Sequence, residues 1–313
     1  MSDSYIHTIP ADISAQRLSD YGGHVFPDLL TRSGFKKAIK RGEVYVDGHQ
    51  ATTATMVKAG MEVSWIPKPR SVGKVYLTAL EVLFEDEYLA IIKKPAGIVV
   101  SGNRFKTIEH ALPGHLKPSY RPDALPAPMP VHRLDAMTSG LLLIAKTRNM
   151  QVVLGQLFQT HQIDKSYQVV VIGETPEHWT SELPLEGKAA KTFFRKIKAV
   201  PSLVSGCLTL LEAQPLTGRK HQIRKHLWLS GWSILGDKKY AHPGFVLKHK
   251  GMFLCATELR FYHPVTNEKI ALSISPPQKF ERFLAGEKKR FLKYADKKKP
   301  ENTFSGSSSK DSD

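Results

Sequence analysis

Cysteine is scarce in this chain, and none of its apolar stretches is long. The 313 residues include only two cysteines, Cys207 and Cys255, which excludes a disulfide framework and a zinc site built from several thiolates. No apolar segment approaches the roughly 18 residues that cross a membrane. The N-terminus also lacks the basic stretch and apolar run of a secretory signal. We therefore expect a cytoplasmic protein with an ordinary apolar core.

Acidic residues are also in short supply. The chain has 45 Lys and Arg residues against 29 Asp and Glu residues, which gives a formal net charge of +16. An excess of this size favours a polyanionic partner, most simply a nucleic acid. A generic basic surface or a charged tail is the alternative. The segment from Gly286 onward carries eight basic and five acidic residues, however, so most of the excess lies elsewhere.

Composition divides the chain into four segments after a loose leader of ten residues. Residues 11–66 predict a small compact domain. Residues 67–75, with two prolines and one glycine, predict a linker. Residues 76–285 alternate short strands and helices and predict the main domain. Residues 286–313 are rich in lysine and serine, which predicts a basic, Ser-rich tail that is disordered beyond about Tyr294.

Residues 31–42 predict a short basic helix, with Ser33 as its N-cap and Gly42 at its end. At about 100° per residue, its cationic side chains share one arc and its apolar side chains lie opposite. Such an arc is usually a solvated face, but an arc of one sign suits phosphate contact. The candidate nucleic-acid contacts of this segment are Arg32, Lys36, Lys37, Lys40 and Arg41.

A charged loop precedes the most apolar run of the chain. Residues 131–140 contain Arg133 and Asp135, and the apolar residues 141–145 that follow predict a buried strand. Gly140 can adopt the positive φ that a turn into this strand requires. Charged groups on a loop braced by rigid elements are frequent in active sites. The alternative is a structural Arg–Asp pair that stabilises the loop.

A second charged segment, residues 216–227, predicts a helix with Thr217 as its N-cap and Gly231 at its end. Several of its polar side chains fall within an arc of about 100° on a helical wheel. A solvated basic face is the alternative interpretation. The candidate site residues of this segment are Arg219, Lys220, His221 and Arg224.

Three motifs resemble the signature of the RluA family of pseudouridine synthases. They are Lys-Lys-Pro-Ala-Gly at residues 93–97, Val-His-Arg-Leu-Asp-Ala-Met-Thr-Ser-Gly at 131–140, and Gly-Arg-Lys-His-Gln-Ile-Arg-Lys-His-Leu at 218–227. The family usually continues the first motif with a histidine, where this chain has Ser101. The order basic helix, Gly, strand, Asp-Gly turn, strand within residues 11–66 resembles the alpha-L RNA-binding domain of a ribosomal small-subunit protein.

The resemblance implies both a fold and a reaction. The fold would be α+β, with a large mixed, mostly antiparallel β-sheet flanked by helices, beside the small α/β RNA-binding domain. The enzyme would isomerise uridines in RNA to pseudouridine without a cofactor or a metal, and ribosomal RNA is favoured over transfer RNA. RNA would be its partner, and the enzyme itself would be a monomer.

The resemblance also implies roles for individual residues. Asp135, Tyr167 and Arg224 would be catalytic, and Arg133 would occupy the gap left by the base that leaves its stack. The chemistry is consistent with these roles, because a carboxylate beside an electron-poor sugar carbon can act as a nucleophile or stabiliser. A tyrosine could take the proton from carbon 5 of the base. From its spacing alone, Tyr167 could equally be a half-buried strand tyrosine.

Two other functions compete with this interpretation. A catalytically inactive RNA-binding protein of the same fold would have no need of Asp135, Tyr167 and Arg224 together. A hydrolase that releases uracil would ordinarily use a second carboxylate, and the motifs contain no evident one.

Overall fold

The chain folds into two compact units, which we call unit 1 (residues 1–73) and unit 2 (residues 74–313). The structure, a computed structural model, describes residues 4–26, 29, 32–67, 74–243 and 250–294. Most of the predicted linker, residues 68–73, therefore lies outside the described residues. Within the described ranges, no helix has the length and apolar character needed to cross a membrane.

Unit 1 combines short strands with two helices around an aromatic core. Its strands order as β1-β6-β3-β4 in one sheet, and β2 pairs with β5 in another. Helix α2 buries Phe35, Ala38 and Ile39 against this core. The elements are β1 (Tyr5–Thr8), β2 (Gln16–Arg17), α1 (Leu18–Tyr21), α2 (Arg32–Lys40), β3 (Val44–Val46), β4 (His49–Gln50), β5 (Met56–Val57) and β6 (Glu62–Trp65).

The structure corrects two predictions for unit 1. The supposed loose leader contains strand β1, which pairs antiparallel with β6 because Tyr5 stacks on the buried ring of Trp65, with centroids 5.0 Å apart. Helix α2 already includes Arg32, so Ser33 lies inside the helix and is not its N-cap. The predicted end is confirmed, since the helix stops at Lys40 and Gly42 has a φ of +67°.

Unit 2 contains the remaining strands and helices. They are β7 (Glu81–Glu85), β8 (Leu89–Lys94), α3 (Ile108–Ala111), β9 (Ala124–Pro130), β10 (Ser139–Thr147), α4 (Arg148–Gln159), β11 (Asp164–Ile172), β12 (His178–Ser181), β13 (Thr192–Ser202), β14 (Gly206–Pro215), α5 (Gln222–Leu229), β15 (Leu254–Tyr262), β16 (Lys269–Ser273) and α6 (Lys279–Tyr294).

The strands of unit 2 form one large sheet. Its order is β12-β13-β14-β11-β15-β10-β8-β7, with β9 paired to β10 and β16 paired to β15. The pairs are antiparallel, except that β10 and β15 run parallel. This mixed, mostly antiparallel sheet with flanking helices confirms the predicted α+β fold. The predicted strand at residues 141–145 lies within β10, and all five of its side chains are buried.

Helices α5 and α6 cover opposite faces of this sheet. Side chains alternate between the two faces along β11. Val169 accordingly packs with Ile223 of α5, whereas its neighbour Val170 packs with Phe280 and Leu284 of α6. The face that carries α5 is the face on which the predicted site residues converge.

Helix α6 extends beyond the predicted end of the main domain at residue 285. Residues 286–294 are helical, so the predicted end of the main domain lies inside α6. The reason is that Glu287 is buried and accepts a hydrogen bond from the Ser202 hydroxyl at 2.6 Å, which ties this turn of α6 to β13. The rest of the predicted tail, residues 295–313, lies outside the described residues.

Candidate active site

The loop that carries Asp135 connects β9 to β10 and is anchored by a buried lysine. Lys94, at the end of β8, is fully buried and donates hydrogen bonds to the carbonyl oxygens of Ala136 and Thr138 at 3.1 and 2.9 Å. Burial lowers the pKa of Lys94 to about 8, against the opposing effect of the Asp135 charge. An ammonium group in this position pulls the two carbonyls together and so shapes the loop around Asp135.

The loop enters β10 through a position that requires glycine. Gly140 has a φ of +117°, and it pairs with Ala256 where β10 runs parallel to β15. A Cβ atom at this position would lie 2.1 Å from the carbonyl oxygen of Ala256. The positive φ predicted for Gly140 is therefore confirmed, and the close approach of β15 adds a second reason for glycine.

Asp135 and Arg224 form an ion pair inside a cleft of unit 2. Arg224 donates from Nη1 to Asp135 Oδ2 at 2.8 Å, and it donates from Nε and Nη2 to the two oxygens of Asp237 at 2.6 and 2.9 Å. Although burial acts in the opposite direction, these hydrogen bonds raise the pKa of Arg224. The second oxygen of Asp135, Oδ1, lies 3.6 Å from His221 Nε2.

The segment before α5 is not helical, which corrects the predicted cap. Helix α5 begins at Gln222, and the residue before it, His221, has a left-handed backbone with a φ of 57°. Thr217 does not cap the helix. Its hydroxyl donates to Gln222 Oε1 at 2.6 Å and accepts from the Lys191 N–H at 3.1 Å. The predicted end is close to correct, since α5 stops at Leu229, two residues before Gly231.

Tyr167 lines the same cleft from strand β11. Its backbone pairs with Ala213 on one side and Ala256 on the other, so the tyrosine sits in the middle of the sheet. Burial, and secondly the negative charge of Asp135, raise the pKa of Tyr167 well above its ordinary value. Its phenol is therefore protonated at neutral pH.

His132 supports the loop as a neutral side chain. Burial, together with the charge of Lys165, lowers the pKa of His132 to about 3. The Leu143 backbone N–H donates to His132 Nε2 at 3.0 Å, and the imidazole packs on Phe158 with centroids 4.6 Å apart. The hydrogen bond ties His132, three positions before Asp135, to the middle of strand β10.

The cleft brings together the predicted site residues of unit 2. It measures about 670 Å³, a size typical of small-molecule sites. Arg133, Arg219 and Lys220 have exposed side chains, and Arg219 is oriented by a hydrogen bond from Nε to the Ala189 carbonyl at 2.9 Å. The lining residues among those predicted are Arg133, Asp135, Tyr167, Arg219, Lys220, His221 and Arg224.

The predicted basic residues of unit 1 differ in their surroundings. Arg41 donates two hydrogen bonds to the buried Glu43, at 2.5 and 2.7 Å, and Arg32 pairs with Asp20. These two arginines therefore have structural partners within unit 1. The three lysines of α2 lie on its outer side, where Lys37 and Lys40 are exposed and Lys36 is half-buried.

Reasoning from the sequence missed three residues that shape the cleft. Lys94 and His132 belong to the family motifs, but no role was predicted for them, because nothing local shows which groups they contact. Asp237 follows the apolar pair Ile234–Leu235 in a turn. A charged residue beside an apolar run is a signal that could have drawn attention to Lys94 and Asp237, although it does not show which groups they contact.

Comparison with known proteins identifies the class. The family profile described as RNA pseudouridylate synthase matches residues 88–228. A protein of Aquifex aeolicus, named as an uncharacterized RNA pseudouridine synthase, is 31% identical over 297 residues, covering 85% of this chain and 92% of the relative. Ribosomal large subunit pseudouridine synthase D of Xanthomonas campestris is 28% identical, covering 88% and 90%. Ribosomal large subunit pseudouridine synthase C of Vibrio vulnificus is 29% identical, covering 88% and 93%.

Solved structures share the fold. Human RNA Pseudouridylate Synthase Domain Containing 4 matches with a TM-score of 0.53 and 24% identity, covering 68% of this chain and 93% of that one. Human RNA Pseudouridylate Synthase Domain Containing 1 gives a TM-score of 0.52 and 21% identity, covering 67% and 87%. Together with the relatives of similar sequence, this shared fold defines the class, an RNA-modifying isomerase. The chain belongs to the RluA family of RNA pseudouridine synthases, enzymes that convert uridine in RNA to pseudouridine.

Proposed function

We propose that this enzyme modifies ribosomal RNA, with transfer RNA as the second candidate. The support comes from relatives named as ribosomal large subunit pseudouridine synthases, which align along most of their length. The net charge of +16 also suits a large polyanionic substrate. A ribosomal substrate implies a cytoplasmic enzyme. We further propose that it acts as a monomer, because the cleft is lined by unit 2 of a single chain.

We propose that unit 1 is an alpha-L-type RNA-binding domain and contributes to substrate affinity. Its outer helix α2 presents Lys37 and Lys40 to solvent, with Lys36 beside them. Arg32 and Arg41 contribute less to RNA contact in this proposal, because each already pairs with a carboxylate. In unit 2, Arg133, Arg219 and Lys220 would contact RNA around the cleft.

The reaction moves one bond and balances without a co-reactant. The bond from uracil N1 to the ribose C1′ breaks, the base turns, and C5 bonds to the same C1′. The proton that leaves C5 balances the proton that N1 gains. The enzyme must therefore activate C1′ or its neighbour, retain the free base, and move one proton.

The observation that supports Asp135 as the catalytic carboxylate is its one-sided ion pair. Arg224 contacts Oδ2 at 2.8 Å, whereas Oδ1 receives no hydrogen bond from the described residues. The guanidinium orients the carboxylate and offsets its charge, and Oδ1 is available to react with the sugar or the base. Arg224 is thus proposed as the residue that holds Asp135 in its reactive orientation.

Tyr167 is proposed as the residue that acts on C5. It lies in the cleft near Asp135, and its raised pKa makes the neutral phenol its resting form. A neutral phenol is a weak base. Tyr167 can therefore accept the C5 proton only if its own proton has passed to N1 of the base, which is the atom that gains a proton in the reaction.

The experiment that tests this proposal maps pseudouridines in total RNA from cells that lack the enzyme. The missing positions identify the substrate as ribosomal or transfer RNA. Cells are then complemented with the wild type, with Asp135→Asn, or with Asp164→Asn, a matched control that removes an exposed carboxylate at the start of β11. We expect the wild type and the control to restore the modification and Asp135→Asn to leave it absent. Purified Asp135→Asn with activity within about tenfold of wild type, or roughly 1.4 kcal/mol in the barrier, would exclude Asp135 from the mechanism.

A further inference from the structure

Arg224 contacts two carboxylates, and the second one is the more deeply buried. The side chain of Asp237 is 1% exposed, against 20% for that of Asp135. Asp237 receives hydrogen bonds from Nε and Nη2 along one edge of the guanidinium, at 2.6 and 2.9 Å. This side-on contact fixes the plane of the guanidinium. Only Nη1 then remains directed at Asp135.

Asp237 is itself held rigidly. Its Oδ1 accepts hydrogen bonds from the backbone N–H groups of Lys239 and Tyr240, at 2.8 and 3.2 Å. The Tyr240 ring packs on the face of the guanidinium, with Arg224 Cζ 4.9 Å from the ring centroid. The Tyr240 hydroxyl also hydrogen-bonds to His221 Nδ1 at 2.9 Å. Arg224 is thus fixed along one edge by Asp237 and across its face by Tyr240.

We propose that Asp237 is a positioning residue for the isomerisation. This inference rests on the proposed role of Asp135. Asp237 sets the direction in which Arg224 presents Nη1, and it takes part of the arginine charge. One cation shared by two carboxylates leaves Asp135 oriented but only partly compensated, so that Oδ1 keeps its reactivity. Asp237 does not line the cleft, and in this proposal its effect on Asp135 passes through Arg224.

A purely structural role for Asp237 would predict a loss of stability without a specific loss of kcat. As the acceptor for two N–H groups of its turn, Asp237 could serve only to stabilise the chain there. Asp86 offers a matched control, because its Oδ1 likewise accepts from two backbone N–H groups, those of Tyr88 and Leu89, at 2.7 and 2.8 Å. Asp86 lies outside the cleft.

The first test compares Asp237→Asn with Asp86→Asn in the full-length enzyme. Asparagine keeps an oxygen for the turn but places an NH₂ group against the guanidinium. We expect Asp237→Asn to lower kcat by roughly 10- to 100-fold, the effect of a misplaced catalytic group, with KM within about threefold, since RNA contacts are unchanged. Asp86→Asn should lower the melting temperature and leave kcat unchanged. Wild-type kcat in Asp237→Asn, or an equal loss of kcat in the control, would overturn the proposal.

A second test asks whether Asp237 acts through Arg224. If it does, Asp237→Asn should have little further effect in an Arg224→Gln background, so that the double variant matches Arg224→Gln in kcat within about threefold. Multiplied losses would show an independent role and overturn the proposal. Asp135→Asn is assayed in parallel. An active Asp135→Asn refutes the proposed function, whereas an inactive Asp135→Asn beside a fully active Asp237→Asn refutes this inference alone.

Discussion

At the scale of single residues, Asp135 and Tyr167 have different environments, in keeping with the different tasks proposed for them. Asp135 is partly exposed and paired on one oxygen only, which suits a group that must react. Tyr167 carries a phenol whose pKa is raised by burial and by the charge of Asp135, which suits a group that holds a proton until the base has turned. This difference in environment is consistent with separate roles for the carboxylate and the phenol in the proposed reaction.

Replacement of Tyr167 by phenylalanine tests the second task. The ring still packs in the sheet but has no hydroxyl, so proton removal from C5 should slow by about 100-fold or more. The measurement is tritium release from RNA that carries 5-tritiated uridine, alongside pseudouridine formation. Tyr88→Phe is a control, because this half-buried tyrosine lies outside the cleft. Normal turnover by Tyr167→Phe would show that the proton leaves by another route.

The sequence predicted the residues that face the cleft better than the residues behind them. Asp135 and Arg224 stand in long motifs, and the structure places them 2.8 Å apart although 89 positions separate them. Asp237 and Lys94 act on these residues through contacts that exist only after the sheet has formed. Their burial is a tertiary property, so no local pattern could reveal that each satisfies several hydrogen-bonding groups around the cleft.

At the scale of elements, strand patterns were more informative than helix ends. The apolar run in β10 predicted a buried strand correctly, because five consecutive apolar residues leave few alternatives. The start of α5 was misplaced because the Thr217 hydroxyl, which resembles a cap in sequence, bonds to Gln222 and Lys191 instead. Strand β1 was missed because its stability comes from distant Trp65.

Replacement of Gly140 by alanine tests the junction between the catalytic loop and β10. The added Cβ would lie 2.1 Å from the Ala256 carbonyl oxygen, at a φ of +117°. We expect a loss of about 3 kcal/mol in the free energy of unfolding, from overpacking and backbone strain together. The control is Gly155→Ala in α4, where a Cβ meets no atom within 4 Å and alanine should stabilise by up to about 1 kcal/mol. Urea unfolding compares the two, and equal effects would contradict the close approach of β15.

At the scale of the whole molecule, both units carry basic side chains that we propose contact RNA. Unit 2 contains the described cleft and its rim of basic side chains. Unit 1 contributes the lysines of α2, whose apolar side is committed to the core of unit 1. The charge excess was evident from composition. The structure was needed to show that the two arginines are paired while lysines of α2 are exposed, because no local motif marks Asp20 and Glu43 as the partners of the arginines.

Neutralising Lys36, Lys37 and Lys40 together with glutamine tests whether unit 1 contacts phosphates. Each lost contact should flatten the slope of log affinity against log salt by about 0.7–0.9, so the triple variant should lose roughly 2.1–2.7 units of slope and bind RNA more weakly. The apolar side of α2 is untouched, so unit 1 should remain folded. Removing residues 1–73 should produce at least the same flattening while turnover persists at high concentrations of a short RNA.

The control variant replaces Lys288, Lys289 and Lys293, three exposed lysines of α6 on the opposite sheet face from the cleft, and changes the net charge equally. Its salt slope should stay near that of the wild type, because loss of net charge without loss of a phosphate contact releases no fewer counterions from the RNA. If both triple variants flatten the slope alike, the attraction is a property of total charge. If neither does, the affinity must come from the basic rim of the cleft, and Arg133, Arg219 and Lys220 become the residues to neutralise next.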